Sequence, residues 1–163
     1  GPAENYLDRN AGSMVGLYKS TAEELYFPYV RPQENGHHTD TRWVSLSTGK
    51  KGLLIQADNT IGFNALRNSI EDFDDEEATG LPRQWSNFTP EQVANHDEAA
   101  AKNVLRRQHH INNITPRDFV EVCVDLKQQG VAGYDSWGSR PEPAYTLPAN
   151  REYNWGFTLI PLK

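Results

Sequence analysis

The chain has 163 residues and a formal charge of −6, from 16 Lys and Arg against 22 Asp and Glu. Its hydrophobic fraction of 37% is enough for a packed core, which excludes global disorder, and no stretch approaches the roughly 18 apolar residues of a membrane span. Nucleic-acid binders normally carry a basic patch that neutralises phosphates, so the acidic balance argues against nucleic acid as a partner. The single Cys123 excludes an internal disulfide, and its apolar neighbours predict a buried structural thiol.

Apolar residues recur mainly with a period of two, which is typical of half-buried strands. The clearest case is residues 118–126, where Val120, Val122 and Val124 share one face that is expected to lie in the core. Because Gly- and Pro-rich turns separate the strands, the sequence predicts an all-β, mainly antiparallel sandwich. The predicted strands are residues 14–19, 41–47, 52–57, 118–126 and 153–160.

One long helix is predicted, over residues 90–106. Thr89 can cap this helix, Pro90 suits its first position, and Gln92 completes a capping box. A shorter helical turn is expected to start at Ser69. Since residues 70–113 break the strand pattern, they are interpreted as an inserted helical and loop excursion on a single β domain that spans residues 1–163.

Two His-His pairs, His37-His38 and His109-His110, raise the question of a metal site. Neighbouring residues on a strand point to opposite faces, and neither pair has the spacing of a zinc site, so surface or hydrogen-bonded histidines are favoured. The chain has no G-x-S-x-G, P-loop or G-x-G-x-x-G motif. Composition and pattern alone therefore indicate a mostly β domain and assign it no activity.

Residues 130–138 (G-V-A-G-Y-D-S-W-G) combine three glycines with Tyr, Asp, Ser and Trp just after a predicted strand. Glycine permits backbone shapes that other residues avoid, and a Trp on such a loop is often presented outward. An outward Trp137 offers a flat indole face that can bind the apolar face of a sugar ring. The alternative is that Trp137 folds back onto the core.

Several separated segments resemble motifs of the glycoside hydrolase family 2 β-galactosidases. Residues 1–9 (G-P-A-E-N-Y-L-D-R) resemble G-P-x-E-N-Y-P-D-R, and residues 26–29, 32–36 and 41–43 resemble Y-x-P-Y, P-Q-E-N-G and a following R. Phe63, Asn64 and Ser69 resemble the stretch that comes next in the family. Residues 130–137 resemble G-x-G-G-D-D-S-W, and the closing strands are matched by Pro143, Tyr145, Tyr153 and Phe157. The order and spacing agree throughout, except in residues 70–113. The ordered set is specific, and it resembles the C-terminal part of the last domain of such an enzyme.

The resemblance implies a large distorted β-sandwich similar to galactose mutarotase, within an enzyme that hydrolyses terminal β-galactosides with retention. In that family the two catalytic Glu residues and the bound Mg²⁺ and Na⁺ belong to a central (β/α)8 barrel, so this chain alone is expected to be inactive and to hold no cofactor. Its implied partners are a galactoside substrate and the barrel and other domains of the parent enzyme, a homo-oligomer in the bacterial cytoplasm or periplasm. No membrane or nucleic-acid partner is expected.

The resemblance also assigns residues within the loop. Trp137 would reach the mouth of the active site and stack on the substrate, chiefly at the aglycone side. Gly133, Asp135 and Ser136 would shape the loop, with Asp135 bonding backbone amides. Tyr134 departs from the family pattern, because it replaces the first Asp of the D-D pair and so removes any charge-dependent contact made there.

Other motif residues are interpreted as structural. Two ion-pair and turn networks are expected to hold loops in place, because unsatisfied buried groups are costly: one of Glu4, Asn5, Asp8 and Arg9, and one of Glu34, Asn35 and Arg42. Trp43 and Trp155 are expected in the core. Two further functions stay open: a stand-alone carbohydrate-binding or mutarotase-like module, and a structural or subunit-interface module.

Overall fold

The structure, a computed structural model, describes residues 1–30, 33–73, 111 and 114–163. The chain divides into two compact units, the first formed by Gly1–Tyr26, Asn35–Leu66 and Glu121–Lys163, and the second by Phe27–Glu34 and Arg67–Val120. The described elements are a short helix α1 (Ala22–Leu25), the strands β1 (His38–Ser47), β2 (Gly52–Leu66), β3 (Glu121–Asp125) and β4 (Phe157–Leu162), and single 3-10 turns at Ile70–Asp72 and Pro143–Tyr145.

The first unit is built on one antiparallel sheet whose centre is the 15-residue strand β2. One edge of β2 pairs with β1. The other edge pairs with β4 over the first part of the strand, from Gly52 to Ala57, and with β3 over its last part, from Gly62 to Leu66. The predicted all-β class is confirmed, because the described elements are mostly antiparallel sheet with very little helix, consistent with a β-sandwich.

The core of the sheet lies along the second half of β2, where every residue from Ile61 to Leu66 is buried. This stretch is flanked by β1 on one side and β3 on the other, so its backbone groups are paired across both edges. Asn64 is a buried polar residue within it. Its Oδ1 accepts the Cys123 N–H at 3.3 Å and its Nδ2 donates to the Asn35 carbonyl at 3.4 Å, so the amide is satisfied at both ends.

The second unit contains a buried carboxylate network. Asp72 is buried and accepts hydrogen bonds from Asn68 Nδ2 at 3.1 Å and from the Ser69 N–H at 3.2 Å, and it forms an ion pair with Arg117. Burial alone would raise the pKa of this carboxyl, but the hydrogen bonds from Arg117, Asn68 and Ser69 outweigh it and hold the pKa below its usual value. The helical turn expected after Ser69 is confirmed as the 3-10 turn at Ile70–Asp72.

Four of the predicted strands are present with changed bounds, and one is absent. Residues 14–19 form no strand and are exposed, with Met14, Val15 and Leu17 each about three-quarters exposed or more. Alternating apolar residues become a strand only where a neighbouring strand satisfies their backbone, and none of the strands in the described part of the chain pairs with this segment. The strand predicted over residues 52–57 runs on to Leu66 as β2, past polar residues that broke the alternation.

Several residues expected in the core are only partly buried. All five residues of β3 are half-buried, including Val122, Val124 and Cys123, so neither the valine face nor the thiol is sequestered in this chain. Trp43 and Trp155 are 48% and 46% exposed, which corrects their expected core position. Both lie beside the sheet region formed by the first part of β2 and by β4, and every residue of β4 is exposed.

Helix α1 is a feature that the sequence reasoning missed, although its signal is present. Thr21 and Glu24 form a reciprocal capping box: the Glu24 N–H donates to Thr21 Oγ1 at 3.3 Å, and the Thr21 N–H donates to the Glu24 side chain at 2.9 Å. Among the residues described, no helix has the length and apolar character needed to cross a bilayer. The helix predicted over residues 90–106, the His109-His110 pair and nearly all of the 70–113 excursion lie outside the described residues.

Candidate functional site

The loop from Gly130 to Gly138 presents its aromatic side chains to solvent. Trp137 is 93% exposed and Tyr134 is 60% exposed, so the indole does not fold back onto the core. Every residue from Gly133 to Gly138 is exposed. Gly133 and Gly138 have φ values of +83° and +87°, which place both in the left-handed region that favours glycine. Glycine is therefore the residue best suited to both ends of this exposed stretch.

The tip of the loop is closed by side-chain hydrogen bonds to its own backbone. Asp135 Oδ1 accepts the Trp137 N–H at 2.8 Å and the Ser139 N–H at 3.3 Å. Ser139 Oγ accepts the Tyr134 N–H at 2.9 Å from the other side. Such an Asx-type turn orders the backbone locally, so the Trp137 backbone is held even though its ring is free.

The base of the loop is tied to the N-terminal segment of the chain. Asp8 Oδ1 accepts the Val131 N–H at 3.0 Å, and Asp8 Oδ2 accepts the Ala132 N–H at 2.8 Å. The Gly130 N–H donates to the Tyr145 carbonyl at 2.8 Å. Sequence reasoning placed Asp8 in a structural network but did not connect it to Trp137, because no local pattern links positions that lie so far apart along the chain.

The expected polar networks of the N-terminal motif are confirmed for Glu4 and Asn5. The Glu4 carboxylate accepts the Gly36 N–H at 2.9 Å, and Asn5 Oδ1 accepts the Thr39 N–H at 2.9 Å. The Asn5 N–H also donates to the His37 carbonyl at 2.8 Å. These contacts hold the start of β1 and the residues just before it, whereas the Asp8 contacts hold the loop that carries Trp137.

The loop combines hydrogen-bonded carboxylates with exposed aromatic rings. Both oxygens of Asp8 and one oxygen of Asp135 accept backbone amides, so these carboxylates shape the backbone of the loop. Partial desolvation, followed by the negative charges of Asp8 and Glu142, raises the pKa of the Tyr134 hydroxyl, so this phenol is protonated at neutral pH. The loop thus presents the two uncharged aromatic rings of Tyr134 and Trp137, and the carboxylate of Asp8 lies where the loop begins.

The first His-His pair separates into two environments. His37 is 2% exposed and stacks on Tyr6, with ring centroids 5.7 Å apart. His38 Nδ1 lies 2.9 Å from the Gly36 carbonyl oxygen, and its ring stacks on Phe63. In the part of the chain that the structure describes, no group of three or more His, Cys, Asp or Glu side chains is placed to hold a metal.

The stability of the chain is expected to fall in mild acid because of His37. Burial, reinforced by the neighbouring His38, lowers the pKa of His37 to about 4. Since an unfolded histidine titrates near 6.5, only the unfolded chain binds this proton between those values. The contribution of neutral His37 to the free energy of unfolding is therefore fully present above about pH 6.5. It decreases by about 3 kcal/mol as the pH falls to about 4. Urea unfolding across this range measures the change.

His37→Phe is the control, because it keeps an aromatic ring against Tyr6 and removes the titrating group. The variant should lose most of the extra acid sensitivity between about pH 6.5 and 4. Parallel pH profiles for the variant and the unaltered chain would show that His37 is not the titrating group.

Comparisons with known proteins identify the family. The family described as "Beta galactosidase small chain" matches residues 1–159. A Beta-galactosidase of Priestia megaterium is 35% identical over 163 residues, which are 99% of this chain and 13% of the relative. One of Streptococcus thermophilus is 29% identical over 164 residues, 99% of this chain and 13% of the relative. One of Arthrobacter sp. is 41% identical over 78 residues, 44% of this chain and 8% of the relative.

The chain thus spans about an eighth of the length of the relatives that match along nearly all of it. The matched residues, 1–159, include both the N-terminal segment with Asp8 and the loop with Trp137. The chain belongs to the beta galactosidase small chain family.

Proposed function

We propose that this chain is a non-catalytic region of a glycoside hydrolase family 2 β-galactosidase, within the last domain of that enzyme. Its role is to complete the galactoside site with the indole of Trp137, on the aglycone side, and to support the catalytic barrel. The observation that carries the proposal is a Trp that is 93% exposed on a closed turn, in a chain of the beta galactosidase small chain family.

An exposed indole carries a cost in free energy. A Trp ring is a large apolar surface, and leaving it in water forgoes the favourable free energy of burial. A flat ring can recover that free energy against the apolar C–H face of a sugar. Because Asp135 and Ser139 already order the backbone of the turn, ligand binding loses little additional backbone entropy.

The bond-breaking step is assigned elsewhere in the parent enzyme. A retaining glycosidase needs two carboxyl groups about 5–5.5 Å apart, one as nucleophile and one as acid and base. The loop carboxylates Asp8 and Asp135 instead accept backbone amides. We propose, from the resemblance to the family 2 enzymes, that the catalytic Glu pair lies with the bound Mg²⁺ and Na⁺ in the barrel of the parent enzyme, and that the parent assembles as a homo-oligomer.

Trp137→Ala in the full-length enzyme is expected to raise KM about three- to tenfold for a galactoside with a sugar aglycone, and to leave kcat nearly unchanged. The size follows from the roughly 0.5–1.5 kcal/mol of an aromatic stacking contact. Loss of a contact made equally in the ground state and in the transition state raises KM alone. Steady-state kinetics on lactose, with transfer to a sugar acceptor followed in parallel, provide the measurement.

Trp137→Phe is the matched control, since it keeps a flat aromatic face at the same position and should retain most of the affinity. Trp155→Ala controls for loss of an exposed Trp outside the loop and should leave acceptor transfer unchanged. If Trp137→Ala leaves both KM and acceptor transfer at their unaltered values, the proposed stacking of Trp137 on the sugar is wrong and a structural or interface role takes its place.

A further inference from the structure

The Asp8 carboxylate occupies a small anion-binding site made by the backbone at the base of the Trp137 loop. The successive N–H groups of Val131 and Ala132 converge on its two oxygens, at 3.0 and 2.8 Å. Ala132 has a φ of +54°, and a left-handed residue after an amide donor produces the concave arrangement of N–H groups that holds anions. The loop therefore begins at a charged contact with a distant segment.

The conformation of Ala132 makes this contact consequential. A non-glycine residue in the left-handed region costs about 1–2 kcal/mol, and Ala132 is followed by Gly133, also at positive φ. Two consecutive residues with positive φ thus lie immediately before Tyr134. The charge-assisted bond from the Ala132 N–H to Asp8 offsets part of the cost of this conformation and so favours it at the base of the loop.

Gly130 is shaped to the same carboxylate. It is buried, and a Cβ at this position would lie 2.6 Å from Asp8 Oδ2 and 2.9 Å from the Tyr145 Cβ. Those distances are shorter than real side chains tolerate, so only glycine lets the carboxylate approach. The two N–H groups and the absence of a side chain at Gly130 together form a binding site for the Asp8 carboxylate.

Trp137 lies only five positions after Ala132, the second residue whose N–H binds Asp8. The end of this short stretch is closed by a hydrogen bond to Asp135. Asp135 Oδ1 accepts the Trp137 N–H at 2.8 Å, a bond within the turn that does not depend on Asp8. Loss of the Asp8 contact would therefore leave the turn closed but would free its base. The indole would stay exposed, and the backbone that carries it would lose its attachment to the N-terminal segment.

We infer that Asp8 is a positioning residue, which orients the Trp137 loop and thereby sets the affinity for the sugar aglycone. This inference rests on the proposed function of Trp137. Asp8 itself touches no substrate. Its effect is transmitted through the backbone of residues 131–137, as a difference in how much of the time the indole faces the ligand.

Asp8→Asn in the full-length enzyme tests the inference. Asn has nearly the same shape, but its NH2 group faces one of the two backbone donors, so only one of the two hydrogen bonds survives. KM for lactose should rise about three- to fivefold, with kcat within about twofold of the unaltered enzyme. In a Trp137→Ala background the same substitution should change KM no further, because the residue it positions is gone.

Glu4→Gln is the matched control, because Glu4 lies in the same segment but its carboxylate holds the Gly36 N–H and not the loop. It is expected to lower the thermal unfolding temperature and leave KM unchanged. Should Asp8→Asn fail to fold, Asp8→Glu keeps both oxygens on a side chain one methylene longer and gives a smaller shift of KM in the same direction.

The outcomes separate the inference from the proposed function. If Trp137→Ala raises KM but Asp8→Asn does not, the positioning role of Asp8 is overturned and the stacking role of Trp137 is retained. If Asp8→Asn raises KM equally with and without Trp137, Asp8 acts by another route and the inference is again overturned. If Trp137→Ala has no effect, the proposed function fails, and the positioning role fails with it.

Discussion

Ile61→Ala should destabilise the sheet unit by about 4 kcal/mol, because Ile61 is 1% exposed in the middle of β2. Removing its outer methyl groups loses their transfer free energy and leaves a cavity that the paired strands β1 and β3 cannot fully close, a combination that typically costs about 2–5 kcal/mol. Urea unfolding of the chain gives the change, read as a shift in midpoint at constant slope.

Ile160→Ala makes the same chemical change at a residue of β4 that is 38% exposed. It should cost only about 1 kcal/mol, because less apolar surface is lost and no closed cavity remains. Equal losses at the two positions would mean that the second half of β2 is not the core of this unit.

Gly36→Ala should cost about 4 kcal/mol. Gly36 has a φ of +72°, and a Cβ there would lie 2.7 Å from the Leu25 carbonyl oxygen, a backbone atom that cannot turn away. The left-handed conformation contributes about 1–2 kcal/mol, and the collision contributes an overpacking cost of about 1–3 kcal/mol. The same urea experiment measures the loss.

Gly49→Ala separates these two contributions. Gly49 has a φ of +87° in the turn between β1 and β2, with nothing within 4 Å of the added Cβ. Only the conformational cost of about 1–2 kcal/mol applies there. A Gly36 variant no less stable than the Gly49 variant would show that the approach of Leu25 to Gly36 is not tight.

The sequence predicted the sheet best where burial alternates simply. In residues 41–47 the period-two pattern located most of β1. The pattern failed in the second half of β2, where Asn64 is buried because its amide is satisfied by Cys123 and Asn35. That arrangement depends on chain segments distant in sequence, so a local pattern cannot reveal it.

The opposite error occurred at residues 14–19, where apolar alternation is present and no strand forms. Periodicity reports which side chains would share a face, but a strand also needs hydrogen-bonding partners along its edge. The exposed apolar residues there and in β4 also show why Trp43 and Trp155 were misplaced. Strand position alone does not establish that a face is covered.

The candidate site divides in the same way. The turn that holds Trp137 is local, because Asp135 bonds an amide only two residues away, and this contact was expected from the motif. The contact at the base of the loop is not local, since it joins Asp8 to Val131 and Ala132. Resemblance marked both segments, but only the folded chain brings them together.

We propose that this chain is one part of a β-galactosidase whose catalytic groups lie elsewhere in the same enzyme. The most direct test is the mass of the native polypeptide, with peptide mapping of protein from its source cells. A mass several-fold above 18.4 kDa, with peptides from a catalytic barrel, is expected. A native polypeptide close to 18.4 kDa, free of any catalytic partner, would contradict the claim and favour a stand-alone binding module.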